Sequence, residues 1–317
     1  MMGNVKNILF TAGGSPVHEV LFQQLNKKYN LYFADFDIEK ISQNIPKQHK
    51  IKIPLASNKK FKIKLLSICR KLNIDILVPG VDEELIQILL NKDLFLPTKI
   101  FLPKIEFVQN MLDKLKMNEL FYQKNIYVPK SVRADQEVNN IKFPVIVKTR
   151  YGRGSRNVFT IKNKKKLDFF LKSIDGDLKD WLVQEKEVGE EYTVQVFSNS
   201  VSSLQCIFPI KVNEKRGSTI AAETVNDKLI IEYCLNIHKE FQPGSCYNVQ
   251  LIKKKDGVIS CFEVNPRIST TFCMGVYAGF DPFENYFKEG GKYNKKTPIP
   301  VLRLMRHWTT SIYKNLP

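Results

Sequence analysis

The stretch Tyr247–Arg267, YNVQLIKKKDGVISCFEVNPR, decides how the rest of the chain is read. It divides into two apolar runs, Tyr247–Lys254 and Val258–Val264, on either side of Asp256-Gly257. Asp-Gly between such runs signals a two-residue hairpin, because a type I′ turn needs positive φ at both central positions. That turn sets Lys255 opposite Val258 and, carried inward, Gln250 opposite Glu263 and Asn248 opposite Asn265. Side chains alternate faces along a strand, so Glu263 shares a face with Asn265, and cross-strand partners share it with them. Four oxygen-bearing side chains therefore crowd one face of an otherwise apolar ribbon, with Pro266 ending the strand and Arg267 just beyond. Oxygen ligands beside a cation are what a hard Mg²⁺ ion carrying phosphates requires. The ribbon reads as a metal-phosphate site.

A second segment complements it. PVIVK (144–148) and NVFTI (157–161) are β-rich and flank Thr149-Arg150-Tyr151-Gly152-Arg153-Gly154-Ser155-Arg156. That loop is too short and polar to hold a core. Its glycines let backbone approach a ligand, Ser155 adds a hydroxyl, and its arginines add positive charge, which suits a loop covering phosphates. A surface hairpin turn has a similar composition; the weight comes from Lys148, whose ammonium ends the strand that feeds the loop.

The first hundred residues have a different pattern. NILF (7–10), LYFADFD (31–37), DILVPG (75–80) and Ile100–Leu102 read as short strands. Helical spacing separates them, at Val17, Val20, Leu21 and Leu25, at Phe61, Leu65, Ile68 and Leu72, and over Asp82–Asn91. Near-continuous apolar strands alternating with helices imply a parallel sheet covered on both faces, so residues 1–105 are expected to form a Rossmann-like domain. Thr11-Ala12-Gly13-Gly14-Ser15-Pro16 stands where a phosphate loop would, but it is not G-x-G-x-x-G, and Pro16 suits a first helical turn. Asp35 and Asp37 sit at a strand end, as a ribose ligand would, but turn residues are the favoured reading, and Asp82 and Glu83 read as a wall of a substrate crevice. A helix over Glu106–Lys124, with Val108, Met111, Leu112 and Leu115 inward and Lys114 and Lys116 outside that stripe, bridges to the rest. Beyond it are expected a helix over Lys162–Ser173, a strand at 181–186, an antiparallel pair at 191–199 and 201–212, the basic segment Asn213–Ser218, and a last strand in VLRLMRHWTTSIY (301–313).

Bulk properties bound the function. The 317 residues carry a net charge of +17, which invites a nucleic-acid reading, yet nine of the 49 basic residues are Arg and the rest Lys. Lysine runs beside turns are explained by solvation, so a site for ATP or an acidic small molecule is favoured over nucleic acid. No apolar run approaches the roughly 20 residues of a membrane span. The start MMGNVKNILF has no signal-peptide core, and Gly3 is not placed for myristoylation, so a cytoplasmic protein is expected. Six cysteines without a CxxC pair fit free buried thiols.

Taken in order, Asp113-Lys114, FPVIVKTRYGRGSRNV (143–158), LVQEKEVGEEYTV (182–194), KRGSTIAAETV (215–225), NVQ (248–250) and FEVNPR (262–267) resemble the ATP-grasp superfamily in its carbamoyl-phosphate-synthetase-like branch. The resemblance implies a mixed α/β and α+β chain. Its parts would be a Rossmann-like pre-ATP-grasp domain (1–105) and an ATP-grasp domain (106–317), the latter with a lid subdomain at about 125–190 and a C-terminal antiparallel sheet. It implies that Lys114 and Lys148 contact ATP phosphates, that Gly152, Arg153, Gly154, Ser155 and Arg156 fold over them, and that Glu185, Lys186, Glu187 and Val188 form the hinge around adenine. Glu191 would hold the ribose, Gln250, Glu263 and Asn265 would hold Mg²⁺ (or Mn²⁺), and Arg267 would meet the transferring phosphoryl group. Lys148 and Arg267 would then be catalytic. Lys215 and Arg216 are candidates for an acidic substrate, with an ordinary charged loop as the other reading. A homodimer is also compatible with the resemblance. The segment after NPR, ISTTFCMGVYAGFD, departs from relatives, so the acceptor does not carry over. The expected activity is ligation of a carboxylate to an amine or other nucleophile. Phosphorylation of carbamate or a carboxylate without ligation and a non-catalytic nucleotide-binding regulator are the alternatives, with a Rossmann dehydrogenase more distant.

Overall fold

The apolar runs at 7–10, 31–35 and 76–78 become strands that are mostly buried, and Lys99–Ile100 forms a short, less buried edge strand. Strands β1 (Asn7–Phe10), β2 (Asn30–Asp35), β3 (Lys50–Lys52), β4 (Ile76–Val78) and β5 (Lys99–Ile100) lie in the order β3-β2-β1-β4-β5, all parallel. Helices α1 (Val17–Leu25), α2 (Phe61–Lys71) and α3 (Asp82–Leu90) connect them. Ile8 and Phe10 pack with Leu21 and Leu25 of α1, whereas Leu9 and Leu77 pack with Phe61 and Leu65 of α2. Strand order reverses between β1 and β4, which opens a crevice at the carboxyl ends of the strands. The structure, a computed structural model, describes residues 5–138, 140–154, 156–286 and 299–308.

The expected helix over Glu106–Lys124 is two helices, α4 (Ile105–Leu112) and α5 (Lys114–Gln123). They part at Asp113, whose carboxylate caps α5 by accepting from the N–H groups of Leu115 and Lys116 at 3.1 and 3.3 Å. The break turns Lys114 inward to 6% exposure, although its spacing set it outside the apolar stripe.

Next come β6 (Ser131–Arg133), β7 (Val145–Thr149), β8 (Val158–Ile161), α6 (Lys164–Ser173) and β9 (Trp181–Glu185). The strands form an antiparallel sheet of order β6-β9-β7-β8 around Val145, Val147, Leu167 and Val183. The six-stranded sheet follows: β10 (Glu190–Ser198), β11 (Leu204–Arg216), β12 (Ser218–Thr224), β13 (Tyr247–Lys253), β14 (Ile259–Asn265) and β15 (Arg303–Met305), ordered β14-β13-β10-β11-β12-β15. Helix α7 (Lys228–Phe241) covers one of its faces through Ile230, Cys234 and Ile237. Asn213–Arg216 is strand rather than loop, because β11 runs on to a turn at Gly217. Residues 309–313 of the expected last strand lie outside the described residues.

Helices α8 (Phe272–Tyr277) and α9 (Pro282–Tyr286) join the parallel sheet to the larger antiparallel one. Phe10 and Phe33 share a single apolar cluster with Phe197, Phe272 and Phe283, and Phe10 meets the edge of Phe283 at 5.7 Å between centroids. That shared core holds the crevice of the first sheet against the face of the second.

The hairpin reaches its expected pairing by an unexpected route. Lys254 N–H donates to Val258 O at 2.9 Å and Gly257 N–H to Lys254 O at 3.0 Å, with Gly257 at φ +86°. This is a three-residue loop with glycine in the left-handed position, not the two-residue turn. The register is one residue off near the turn, with Leu251 opposite Cys261 and Lys253 opposite Ile259. A bulge then leaves Phe262 without a partner in the ladder and restores Gln250 opposite Glu263 and Asn248 opposite Asn265.

Candidate active site

Two cavities meet at β13 and β14. The smaller, about 260 Å³, lies between the four-stranded sheet and the hairpin and is lined by Lys114, Lys148, Gly152, Gln184–Glu187 and Phe262. The larger, about 450 Å³, lies between the crevice of the parallel sheet and the hairpin, with Gly14, Asp35 and Gly80 on one wall and Asn248, Asn265 and Arg267 on the other. Gln250, Glu263, Glu191, Lys215, Arg153 and Gly154 line both.

Both lysines expected at phosphates are buried in the smaller cavity. Lys148, 4% exposed, donates to Phe262 O at 3.1 Å, so the bulge that corrects the register also presents this carbonyl to the lysine. Burial pushes the Lys148 ammonium down to about 8, against the pull of nearby Glu263. Lys114 donates to Gly152 O at 2.7 Å and ties the glycine loop to α5. Gly152 has φ +127°, which a side chain rarely adopts. Arg150 and Tyr151 anchor the loop from its other side: Arg150 Nε (3.2 Å) and Tyr151 OH (2.9 Å) donate to the Asp113 carboxylate. Burial opposes ionisation of Asp113, but these hydrogen bonds outweigh it and hold the carboxyl below its usual range.

The oxygen cluster is built as the register demands, with one refinement. Asn248 Oδ1 accepts from Thr193 Oγ1 (2.6 Å) and Gln195 Nε2 (2.5 Å), so it is committed to the wall. Among the described residues the side-chain oxygens of Gln250 and Asn265 receive only long contacts, from Lys215 Nζ at 3.3 Å and Arg267 Nη2 at 3.4 Å. The Glu263 carboxylate, half-buried, takes no hydrogen bond and no ion pair among the described residues. One unpaired carboxylate beside two amide oxygens, with Lys148 opposite, is a donor set that fits a hard divalent cation with phosphate oxygens.

The two arginines are held by consecutive acids at the start of α3. Arg267 Nε pairs with Asp82 at 2.6 Å, and Arg153 Nε with Glu83 at 2.9 Å. Glu84 accepts from Thr11 Oγ1, Gly80 N–H (2.7 Å) and Val81 N–H (3.1 Å). Burial pushes its carboxyl up to about 7 despite these donors. Asp82 and Glu83 therefore orient the arginines and do not line the crevice as expected from sequence. Helix N-terminal acids are common for dipole reasons alone, so the run Asp82-Glu83-Glu84 gave no signal of these distant partners. The loop after β1 is likewise no phosphate cradle: Gly13 N–H donates to Ala34 O and Gly14 N–H to Asp35 Oδ2, both at 2.9 Å.

The remaining expected residues divide clearly. Arg156, Lys186 and Glu191 line the smaller cavity, with Glu191 paired to Lys215 at 2.6 Å. Glu185 accepts from Lys142 N–H at 2.9 Å and Glu187 pairs with Lys254 at 2.6 Å, so both carboxylates brace the strand end. Val188, 74% exposed, reaches neither cavity and lies in the non-strand link between β9 and β10. Arg216 is also outside both: it pairs with Glu214 at 2.8 Å and lies over Trp308, while Lys215, one residue earlier on the strand, points in. Ser155 lies outside the described residues. His238 packs against Tyr247 and Ser202, and its burial lowers its pKa. All six cysteines are free, and no helix among the described residues is long and apolar enough to cross a membrane.

The family model described as the ATP-grasp domain matches residues 111–271, just over half the chain. The chain belongs to the ATP-grasp family. The matched segment opens at the helix break beside Lys114 and closes just past Arg267, so it contains every residue that the sequence assigned to the ATP-grasp site. Solved structures share the architecture. The N5-carboxyaminoimidazole synthetase from Staphylococcus aureus complexed with ADP matches with TM-score 0.68 and 15% identity, over 94% of this chain and 79% of that one. The biotin carboxylase domain of the Hydrogenobacter thermophilus 2-oxoglutarate carboxylase matches with 0.67 and 14%, over 87% and 67%. An L-amino acid ligase from Bacillus licheniformis matches with 0.64 and 13%, over 90% and 73%. At these identities the likeness is one of fold. No curated protein matches the sequence.

Proposed function

We propose that this ATP-grasp chain is a Mg²⁺-dependent ligase that activates a carboxylate as an acyl phosphate for capture by an amine or another nucleophile. One observation carries the reading: Gln250 and Glu263 form a common wall between a lysine-lined cavity and a second cavity that holds Arg267. Nucleotide fits the first. Ile146, Val158 and Ile252 offer apolar faces to a base beside the 184–187 strand end, and Lys114 and Lys148 stand where phosphates follow. The carboxylate fits the second, at Arg267. Gln250, Glu263 and Asn265 would hold Mg²⁺, which supplies charge neutralisation to the phosphates when bound.

In the first step a carboxylate oxygen attacks the γ-phosphorus and the bond to the departing ADP oxygen breaks. In the second, the amine nitrogen attacks the acyl carbon, inorganic phosphate leaves, and the amine gives up a proton. Lys148 and Arg267 stabilise charge on the transferring phosphoryl group from opposite sides, so their placement rather than covalent chemistry supplies the rate. The structures of an N5-carboxyaminoimidazole synthetase with ADP and of an L-amino acid ligase on the same fold support the reading. Hydroxylamine, which captures acyl phosphates as hydroxamates, tests it without knowledge of the amine. Wild-type protein with Mg²⁺, ATP and a panel of carboxylates is expected to form ADP and hydroxamate together, and Glu263→Gln to lose on the order of 100-fold or more. Full activity in Glu263→Gln would refute the metal assignment. ADP without hydroxamate would refute acyl transfer, and bound ATP without turnover in any mixture would leave a regulator.

A further inference from the structure

The larger cavity has two unlike ends. At the reaction end Arg267, Lys215 and Arg153 are each already paired, with Asp82 (2.6 Å), Glu191 (2.6 Å) and Glu83 (2.9 Å). At the far end, beyond the carboxyl ends of β2 and β3, the lining includes Phe36, Ile53, Pro54, Leu55, Ala56 and Phe61, beside Asp35. Phe36 is 44% and Leu55 53% exposed, so the fold itself leaves both open to the cavity. Lys40 lies over the Phe36 ring at 4.6 Å and is paired with Asp37 at 3.7 Å. His18, also in the lining, is pushed down to about 4 by burial, against the hydrogen bond to Gly13 and the charge of Asp35, and is neutral at pH 7. Every cation lining this cavity thus has a carboxylate partner among the described residues. Net charge gives little discrimination between one carboxylate and another.

Apolar contact discriminates more. A volume of about 450 Å³ lies in the range of sites for drug-sized ligands and is far more than acetate fills. Building on the ligase reading above, we infer that the activated carboxylate belongs to an elongated molecule with an apolar body. Its carboxylate lies at the Arg267 end and its aliphatic or aromatic part rests on Phe36, Ile53 and Leu55. Phe36 and Leu55 are then specificity residues, reached from loops that no ATP-grasp motif includes. Their exposure also makes them replaceable without loss of core.

The test compares acetate, butyrate, hexanoate and 3-phenylpropionate in the hydroxamate assay, with the double variant Phe36→Ser/Leu55→Ser beside wild type. Affinity is expected to rise about fourfold per added methylene in wild type, read as a falling KM, and to flatten in the variant. A flat series in wild type, or an equally steep one in the variant, overturns the inference. The same four carboxylates are titrated by calorimetry onto the protein held with Mg²⁺ and ADP. If no carboxylate yields hydroxamate, the ligase reading falls, and the calorimetric series still decides for or against the apolar end.

Discussion

Lys148→Met exchanges a buried ammonium for an apolar side chain of similar length, and its consequence for stability follows from the site. A lysine that titrates near 10.5 in the unfolded chain is held at about 8 in the folded one. Below pH 8 both states are protonated and the folded protein bears the full penalty of a buried charge, roughly 3 kcal/mol at pH 7. Between pH 8 and 10.5 the unfolded chain binds a proton that the folded chain has lost, so stability rises with pH across this window and is constant below it. Lys148→Met removes that penalty and also the hydrogen bond to Phe262 O, whose loss costs about 1–3 kcal/mol. The two effects nearly cancel at pH 7. Their pH dependence does not cancel: wild type should gain about 3 kcal/mol on the variant between pH 7 and 10.5. Urea denaturation of both ligand-free proteins at pH 7, 8, 9 and 10, followed by far-ultraviolet circular dichroism and by Trp181, which neighbours β7 on β9, measures the difference. A difference that stays flat over this range would refute the buried-charge account. Mg-ATP should stabilise wild type and not Lys148→Met, and its affinity for wild type should weaken as pH rises through about 8, where Lys148 loses its charge.

Two further substitutions separate residues that act through the site from residues near it in sequence. Asp82→Asn removes the charge that orients Arg267; kcat for hydroxamate formation should fall on the order of 10-fold or more while the Kd for ATP stays within about twofold, and equal losses in both would place Asp82 at the nucleotide instead. Arg216→Ala should leave kcat/KM within about twofold and stability within about 0.5 kcal/mol, because Arg216 is exposed and lies outside both cavities; a tenfold loss in steady-state turnover would bring it back into the site.

The pairing that concentrates Gln250, Glu263 and Asn265 was legible because strand alternation is a local rule and the hydrophobic faces admit one register near the site. The turn was not, since Asp-Gly serves a two-residue loop and a three-residue loop with a glycine bulge equally well. Two one-residue departures, at Lys255–Gly257 and at Phe262, compensate each other. Lys114 shows the opposite case. Its motif was readable, but its burial depends on a helix break at Asp113 that helical periodicity ran across.

By itself the amino-acid sequence determined the parallel sheet, the glycine loop fed by Lys148, the order of the ATP-grasp segments and the oxygen face of the hairpin. The glycine loop and the hairpin face rest on residues close together along the chain, and the sheet and the segment order on local patterns repeated along it. Only the tertiary structure decided what the acids of α3 do, which of Lys215 and Arg216 faces the cleft, and that the second cavity ends on Phe36 and Leu55. Those are contacts between segments far apart in sequence, such as Asp82 with Arg267. They are set by the apolar core that Phe10, Phe272 and Phe283 share across the two sheets, and side-chain chemistry read along the chain has no access to how that core seats one sheet on the other.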